Sequence, residues 1–333
     1  MVHCFALLCI LILAGAGCSW KSDSTVPPGA GTATEKITMC QGGGLAILPL
    51  IALEKGLFAR QGLNVEIIAK GDGKLAFDAL LSGECAFATV GEPPLVAAIF
   101  TRTDFAVLAS LNITDNATKV LARKDLGIRT VNDLKGKPVG VRKGTFSHYF
   151  LDLLLTKNGI SPRDVSLRFM EPGRFSEALA QGEIVAYSGS DEQLLLGKKL
   201  IGEMAVILSE PGLSLNSVNL VTMKKYISSR PAMTQKLLQA LLQAEEYYLK
   251  HPADARNIVQ RLKGISPTEL EEILKEQNHQ LTLPQSLLLT MEGNARWMID
   301  TGIQGSSSFP NFLNVIDPAP LKALKPSSVS INK

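Results

Sequence analysis

Residues 49–68 read PLIALEKGLFARQGLNVEII, a helical run broken by two glycines and followed by a β-type run. Helical patterning covers 46–60, and Gly56 and Gly62 stand where a helix end wants a residue in the left-handed region, which glycine enters without a Cβ clash. The run 63–68 (LNVEII) then has the composition and alternation of a strand. Helix handing over to strand through glycine is the unit of an α/β protein, and it recurs on both sides of this stretch.

Outward from it, strands are predicted at 36–40, 63–68, 85–90, 105–110, 118–123, 138–142, 165–169, 184–187, 204–208 and 218–223. Helical patterns lie between them at 74–82, 91–101, 131–134, 146–158, 174–181 and 190–201. The last third is helical, at 230–251, 252–263, 266–278 and 284–301, and no strand is expected after 223. The Pro-rich segment 309–326 reads as irregular chain along a surface. Pro162 and Pro267 each follow a Ser, the order of an N-cap and a first helical residue.

The chain has 333 residues, 46% hydrophobic and 20% charged, with a mean hydropathy of +0.15. These values exclude disorder as the main state and allow two or three domains. With 34 basic against 31 acidic residues, a net charge of +3 and no concentrated basic patch, nucleic acid is excluded as a partner.

Residues 5–13 (FALLCILIL) are continuously apolar, Ala14 to Gly17 are small, and the chain turns polar after Cys18. That is a signal-peptide core with a processing site, too short for an ordinary membrane-spanning helix. The small run ending in Cys18 resembles a bacterial lipobox, which implies a lipid-modified Cys18 and a membrane-tethered, extracytoplasmic protein; plain secretion with cleavage near Gly17 fits the same residues. Residues 19–35, rich in Ser, Thr, Pro and Gly, read as a flexible spacer.

Cys40 and Cys85 are the cysteines left after the signal region. Export permits a disulfide, but Cys40 falls near the end of one predicted strand and Cys85 near the start of a parallel neighbour, so two buried free thiols are expected. Four histidines, at 3, 148, 251 and 279, form no ligand cluster with Cys, and neither a metal nor a cofactor is expected.

The runs 49–68, 80–94 (LLSGECAFATVGEPP), 127–145 (GIRTVNDLKGKPVGVRKGT) and the tail 309–331 resemble extracytoplasmic substrate-binding proteins of ABC importers, in the nitrate, sulfonate, taurine and thiamine-pyrimidine-precursor branch. The resemblance implies a two-lobed type II periplasmic-binding-protein fold, α/β, with hinge-linked parallel or mixed sheets of five strands each. Lobe 1 is expected at 36–115 plus 225–325 and lobe 2 at 116–224, with strands 118–123 and 218–223 flanking the hinge. It also implies a small, anionic organic solute in the cleft, no catalysis, a monomer, and an ABC permease and ATPase as partners. A tethered sensor and an enzyme on the same fold are the competing functions; His148 is the one histidine near an expected cleft loop.

Ligands in such folds face strand ends and helix N-termini, where unpaired N–H groups favour anions. Gln41, Gly42 and Gly43, with Gly44, form a loop able to approach a ligand or simply to turn. In 71–74, Asp72 is expected to cap a helix and Lys74 to face solvent. Thr89, Gly91 and Glu92 follow a strand, Glu92 also serving the helix dipole. Gly144, Thr145 and Ser147 open a helix and are the leading candidates for an oxyanion, though a hydroxyl there also suits an N-cap. Tyr187 and Ser188, with Gly189 and Ser190, form a polar turn where relatives carry acidic, aromatic or Pro-marked residues, and that departure weakens any transfer of ligand identity.

Overall fold

The computed structural model describes residues 36–42, 46–305 and 308–331. The signal segment with Cys18, the spacer, Gly43 and Gly44 lie outside the described residues. Strands run β1 (Lys36–Gln41), β2 (Asn64–Ala69), β3 (Phe87–Val90), β4 (Phe105–Thr114), β5 (Thr118–Arg123), β6 (Pro138–Val141), β7 (Ser166–Phe169), β8 (Ala186–Ser190), β9 (Ala205–Leu208), β10 (Asn216–Met223) and β11 (Gln277–Asn278). The α-helices are α1 (Ile47–Glu54), α2 (Leu57–Arg60), α3 (Gly73–Leu81), α4 (Glu92–Ile99), α5 (Phe146–Lys157), α6 (Phe175–Gln181), α7 (Asp191–Ile201), α8 (Lys224–Ser229), α9 (Pro231–Lys250), α10 (Pro252–Lys263), α11 (Pro267–Leu274), α12 (Ser286–Asp300) and α13 (Ala319–Leu324). No helix among the described residues is long and apolar enough to cross a membrane.

Two sheets form, ordered β11-β4-β10-β3-β1-β2 and β7-β6-β8-β5-β9. Without β11 they share one order: second, first and third strand, then a strand from elsewhere in the chain, then the fourth. The inserted strands, β10 in the first sheet and β5 in the second, run antiparallel to both neighbours, while β1 lies parallel to β2 and β3, and β6 parallel to β7 and β8. Each inserted strand is the one the chain enters directly from the other sheet, by 115–117 on the way out and 209–215 on the way back. This is the two-lobed periplasmic-binding-protein fold, with helices over a mixed sheet in each lobe. The central strands explain why it forms: β3 is buried at all four positions and β4 at nine of its ten, as both-sided burial requires.

Four expectations are corrected. Strand β10, assigned to the end of lobe 2, pairs between β3 and β4 in the first sheet. That sheet has six strands rather than five, because Gln277 and Asn278 pair with Thr114 and Ile113. The polar turn at Ser188 to Ser190 is the second half of β8, with Tyr187 and Ser188 fully buried. Cys40 and Cys85 are disulfide-bonded, with Cα atoms 5.9 Å apart. The strand begins only at Phe87, and a bend at Ala86 takes Cys85 off its line and beside Cys40, within bridging range.

Candidate functional site

A cavity of about 90 Å³ lies between the lobes. The first lobe lines it with Asp72, Gly73, Gly91 and Pro94 at the starts of α3 and α4, and with Asn112 and Ser217 of β4 and β10; the second lobe supplies Arg142, Thr145 and Ser147. The first wall is built by glycine packed on glycine. A Cβ on Gly42 would stand 2.5 Å from Gly73 Cα and 2.7 Å from Thr89 O, and one on Gly73 would stand 3.1 Å from Gly91 N. Three strand-to-helix loops therefore nest at backbone contact, which sets the starts of α3 and α4 side by side.

Arg142, directly after β6, crosses the cavity. Its Nε lies 2.6 Å from Asp72 Oδ2, and its Nη1 pairs with Glu171. Asp72 also caps α3, its Oδ1 accepting from the Leu75 N–H at 2.7 Å. Burial pushes the Asp72 carboxyl up, against the opposing pull of Leu75 N–H and Arg142. Burial works against the Arg142 charge, but Glu171 and Asp72 outweigh it and raise its pKa. Although close, Arg142 Nε and Asp72 Oδ2 are not aligned as a hydrogen bond, so this N–H and this oxygen keep unused capacity. The pair is the polar contact between the lobes at the cavity itself.

Beside it, Thr145 sits at the N-cap of α5 without capping it; its Oγ1 donates to Arg142 O at 2.8 Å. The first-turn N–H groups of α5 are thus left without a side-chain cap, next to a guanidinium, and that combination attracts an oxyanion.

The remaining candidates divide. Gly91, Thr145 and Ser147 line the cavity. Gln41, Gly42, Thr89, Gly144, Tyr187 and Ser188 do not, and each has a structural task. Gln41 Nε2 donates to Ala46 O at 3.0 Å, and Gly42 N–H donates to Thr89 Oγ1 at 2.9 Å. Gly144, at φ +73°, donates its N–H to His148 Nδ1 at 3.3 Å. Tyr187 stacks on Phe175 and donates to Gln193 O at 2.7 Å, under an α7 whose Gly197 leaves no room for a Cβ beside Tyr187 and Leu121. Ser188 Oγ donates to Ser147 O at 2.8 Å. Asp72 caps as expected, and Lys74 pairs with Asp78 at the rim, 2.6 Å away.

Glu92 lines a small compartment behind the cavity. Burial pushes its carboxyl up to about 7, against hydrogen bonds from Ser217. His148 is buried between Phe169 and Trp297, and desolvation with the nearby Lys143 lowers its pKa to about 4. It is neutral at pH 7, and because Nδ1 accepts from Gly144 its proton sits on Nε2. Trp297 of α12 reaches across to α5, where its Nε1 donates to Asp152 Oδ2 at 2.8 Å, a further bond between the lobes.

Sequence reasoning missed Arg142 and Trp297. The signal for Arg142 was present, a cation two residues before the Gly-Thr start of α5. Trp297 had none, since 145 residues separate it from Asp152.

A cleft between two hinge-linked α/β lobes, lined by polar side chains and helix starts, defines the class of solute-binding proteins. The chain belongs to the NMT1/THI5-like family, whose model matches residues 47–255. It is 23% identical over 272 residues to a protein of Brucella abortus named a binding protein, spanning 80% of this chain and 83% of that one. It is 26% identical over 236 residues to a Bacillus subtilis protein named for binding aliphatic sulfonates, with 68% and 69% covered. The alkanesulfonate-binding protein SsuA of Xanthomonas axonopodis pv. citri, solved with MOPS, superposes with a TM-score of 0.75 at 20% identity over 86% of this chain and 99% of that one. The periplasmic nitrate-binding protein NrtA of Synechocystis PCC 6803 gives 0.71 at 14% identity, with 89% of each chain covered.

Proposed function

We propose that the protein is the extracytoplasmic solute-binding component of an ABC importer, that it holds a small oxyanion-bearing organic solute between its lobes, and that Cys18 carries its lipid anchor. The observation that carries this reading is Arg142 beside the uncapped start of α5, facing Asp72 across the cavity. The oxyanion takes the Arg142 guanidinium and the first-turn N–H groups of α5, while Asp72 holds the guanidinium in place. Binding names among the relatives support it, as does a structural neighbour from Staphylococcus aureus described as the ligand-binding component of an ABC-type import system. His148 is engaged with Gly144 and does not line the cavity.

A thermal-shift screen of the purified protein against sulfonates, nitrate, phosphonates and carboxylates tests the reading, because a ligand of the native state raises the midpoint. A hit is expected, and Arg142→Ala is expected to weaken it by tenfold or more, about the worth of one charged hydrogen bond. A hit unaffected by Arg142→Ala would place the anion elsewhere.

A further inference from the structure

Arg142 does not meet the cavity as a free cation. Asp72 Oδ2 lies 2.6 Å from its Nε and Glu171 pairs with its Nη1, so two carboxylates share one guanidinium. The Arg142 and Asp72 side chains are 13% and 12% exposed, whereas Glu171 stands towards solvent at 66%. Lys74, the other charged residue lining the cavity among the described residues, is paired with Asp78 at the rim. An oxyanion that reaches Arg142 from the cavity therefore comes to rest beside a carboxylate.

Burial raises the Asp72 carboxyl, with a lesser push from Glu171, while the Leu75 N–H, Arg142 and Lys74 favour its ionised form. The ion pair with a guanidinium at 2.6 Å keeps it a carboxylate at neutral pH. Capping α3 uses Oδ1 alone, and a neutral Ser or Asn caps as well without a negative charge beside the anion. Holding Arg142 accounts for the charge but leaves Oδ2 buried and without an aligned hydrogen bond. A sulfonate or nitrate has oxygens that only accept, so against Oδ2 it sets lone pair on lone pair and like charge on like charge. A phosphoryl group below its second pKa carries one negative charge, as a sulfonate does, and one O–H besides. Its ionised oxygens suit Arg142 and the first-turn N–H groups of α5, and its O–H suits Asp72 Oδ2 as a charge-assisted hydrogen bond. Because Asp72 touches the same guanidinium that takes the oxyanion, the proton it reads is on the oxyanion itself and not on the solute's tail.

We infer that Asp72 is a specificity-determining residue that selects a monoprotonated phosphoryl group, as in a phosphonate or phosphate, over a sulfonate or nitrate. The inference rests on the proposed function, which supplies the oxyanion at Arg142. The test is calorimetric titration of the full chain at pH 6 and pH 9 with matched pairs, methylphosphonate against methanesulfonate and ethylphosphonate against ethanesulfonate. Glu92, behind the cavity, titrates within this interval and acts on both members of a pair alike, so the ratio of affinities is the readout. At pH 6 the phosphonate is expected to bind tighter by about tenfold or more, since a sulfonate leaves the buried oxygen unpaired, and at pH 9, with the second proton gone, that advantage is lost. Asp72→Asn, which still caps α3 and can donate to a sulfonate, is expected to bring the pH 6 ratio to one or below. Inorganic phosphate and methyl phosphate titrated alongside separate the sources, and the tightest phosphoryl binder names the one used. A sulfonate as tight as its phosphonate at pH 6, or a ratio unchanged at pH 9, overturns the inference and leaves the proposed function standing. Binding of no oxyanion overturns both. The wild-type ratios decide the matter even where the variant fails to fold.

Discussion

Burial acts on Glu92 and on two histidines in opposite senses, so their titrations separate along the pH axis. The folded Glu92 carboxyl titrates at about 7 instead of its ordinary 4.5. The native state therefore holds that proton more tightly than the unfolded chain, and the associated stability is complete below pH 4.5 and lost as pH rises through 7. The loss is roughly 3 kcal/mol at 1.36 kcal/mol per unit. Glu92→Gln is expected to flatten the fall in denaturation midpoint between pH 5 and 8. His148 and His279 are lowered from 6.5 to about 4 and about 3, the latter by desolvation alone. Both are neutral when folded, so their contribution is present above pH 6.5 and is lost as pH falls through those values. His148→Gln is expected to lessen the loss of stability between pH 6.5 and 4, read from chemical denaturation at each pH. Site legibility at this scale was uneven: Thr145 and Ser147, expected from hydroxyls at a helix start, line the cavity, whereas Gln41, Thr89 and Tyr187 use their polar groups inside the fold.

Among the elements, the first lobe's wall depends on the contact of Gly42 with Gly73 and of Gly73 with Gly91. Gly42→Ala must move backbone rather than a side chain, and overpacking of that kind costs about 1–3 kcal/mol, measurable as a lowered urea midpoint. The Cys40–Cys85 bridge closes a loop of 45 residues between β1 and β3. On the loop-entropy argument it contributes about 4 kcal/mol, so the Cys40→Ser, Cys85→Ser double variant is expected to melt well below the wild type under non-reducing conditions. Element type was readable because strand and helix periods differ, and each of the ten predicted strands overlaps an observed one. The missed β11 is two residues long, within a run whose pattern is helical up to Leu274; only the neighbouring edge of β4 makes it a strand.

Across the whole molecule, polar contacts tie the lobes on several sides: Arg142 to Asp72 at the cavity, Trp297 to Asp152 beside it, and Lys263 to Glu192, Lys199 to Glu269 and Lys119 to Glu276 on the side of α7. Loss of the first removes the ion pair at the cavity. Asp72→Ala is expected to open the unliganded protein, seen as a larger radius of gyration in X-ray scattering, while an unchanged radius would mean that the remaining interlobe packing suffices. Trp297→Phe removes the hydrogen bond to buried Asp152 Oδ2, leaving that oxygen only His148 Nε2 at 3.9 Å, and is expected to cost about 1–3 kcal/mol in chemical denaturation.

The alternation of strand and helix, the glycine stops and the helix start at Thr145 were determined by the sequence itself, because hydrophobic period, caps and turn chemistry act over a few neighbouring residues. Membership of β10 in the first sheet, the Cys40–Cys85 bridge, Arg142 against Asp72 and the burial of Glu92 against Ser217 were decided only by the tertiary structure. Each joins groups tens to more than a hundred residues apart, and their meeting depends on sheet order and on the packing of loops at backbone contact, quantities that no local pattern encodes.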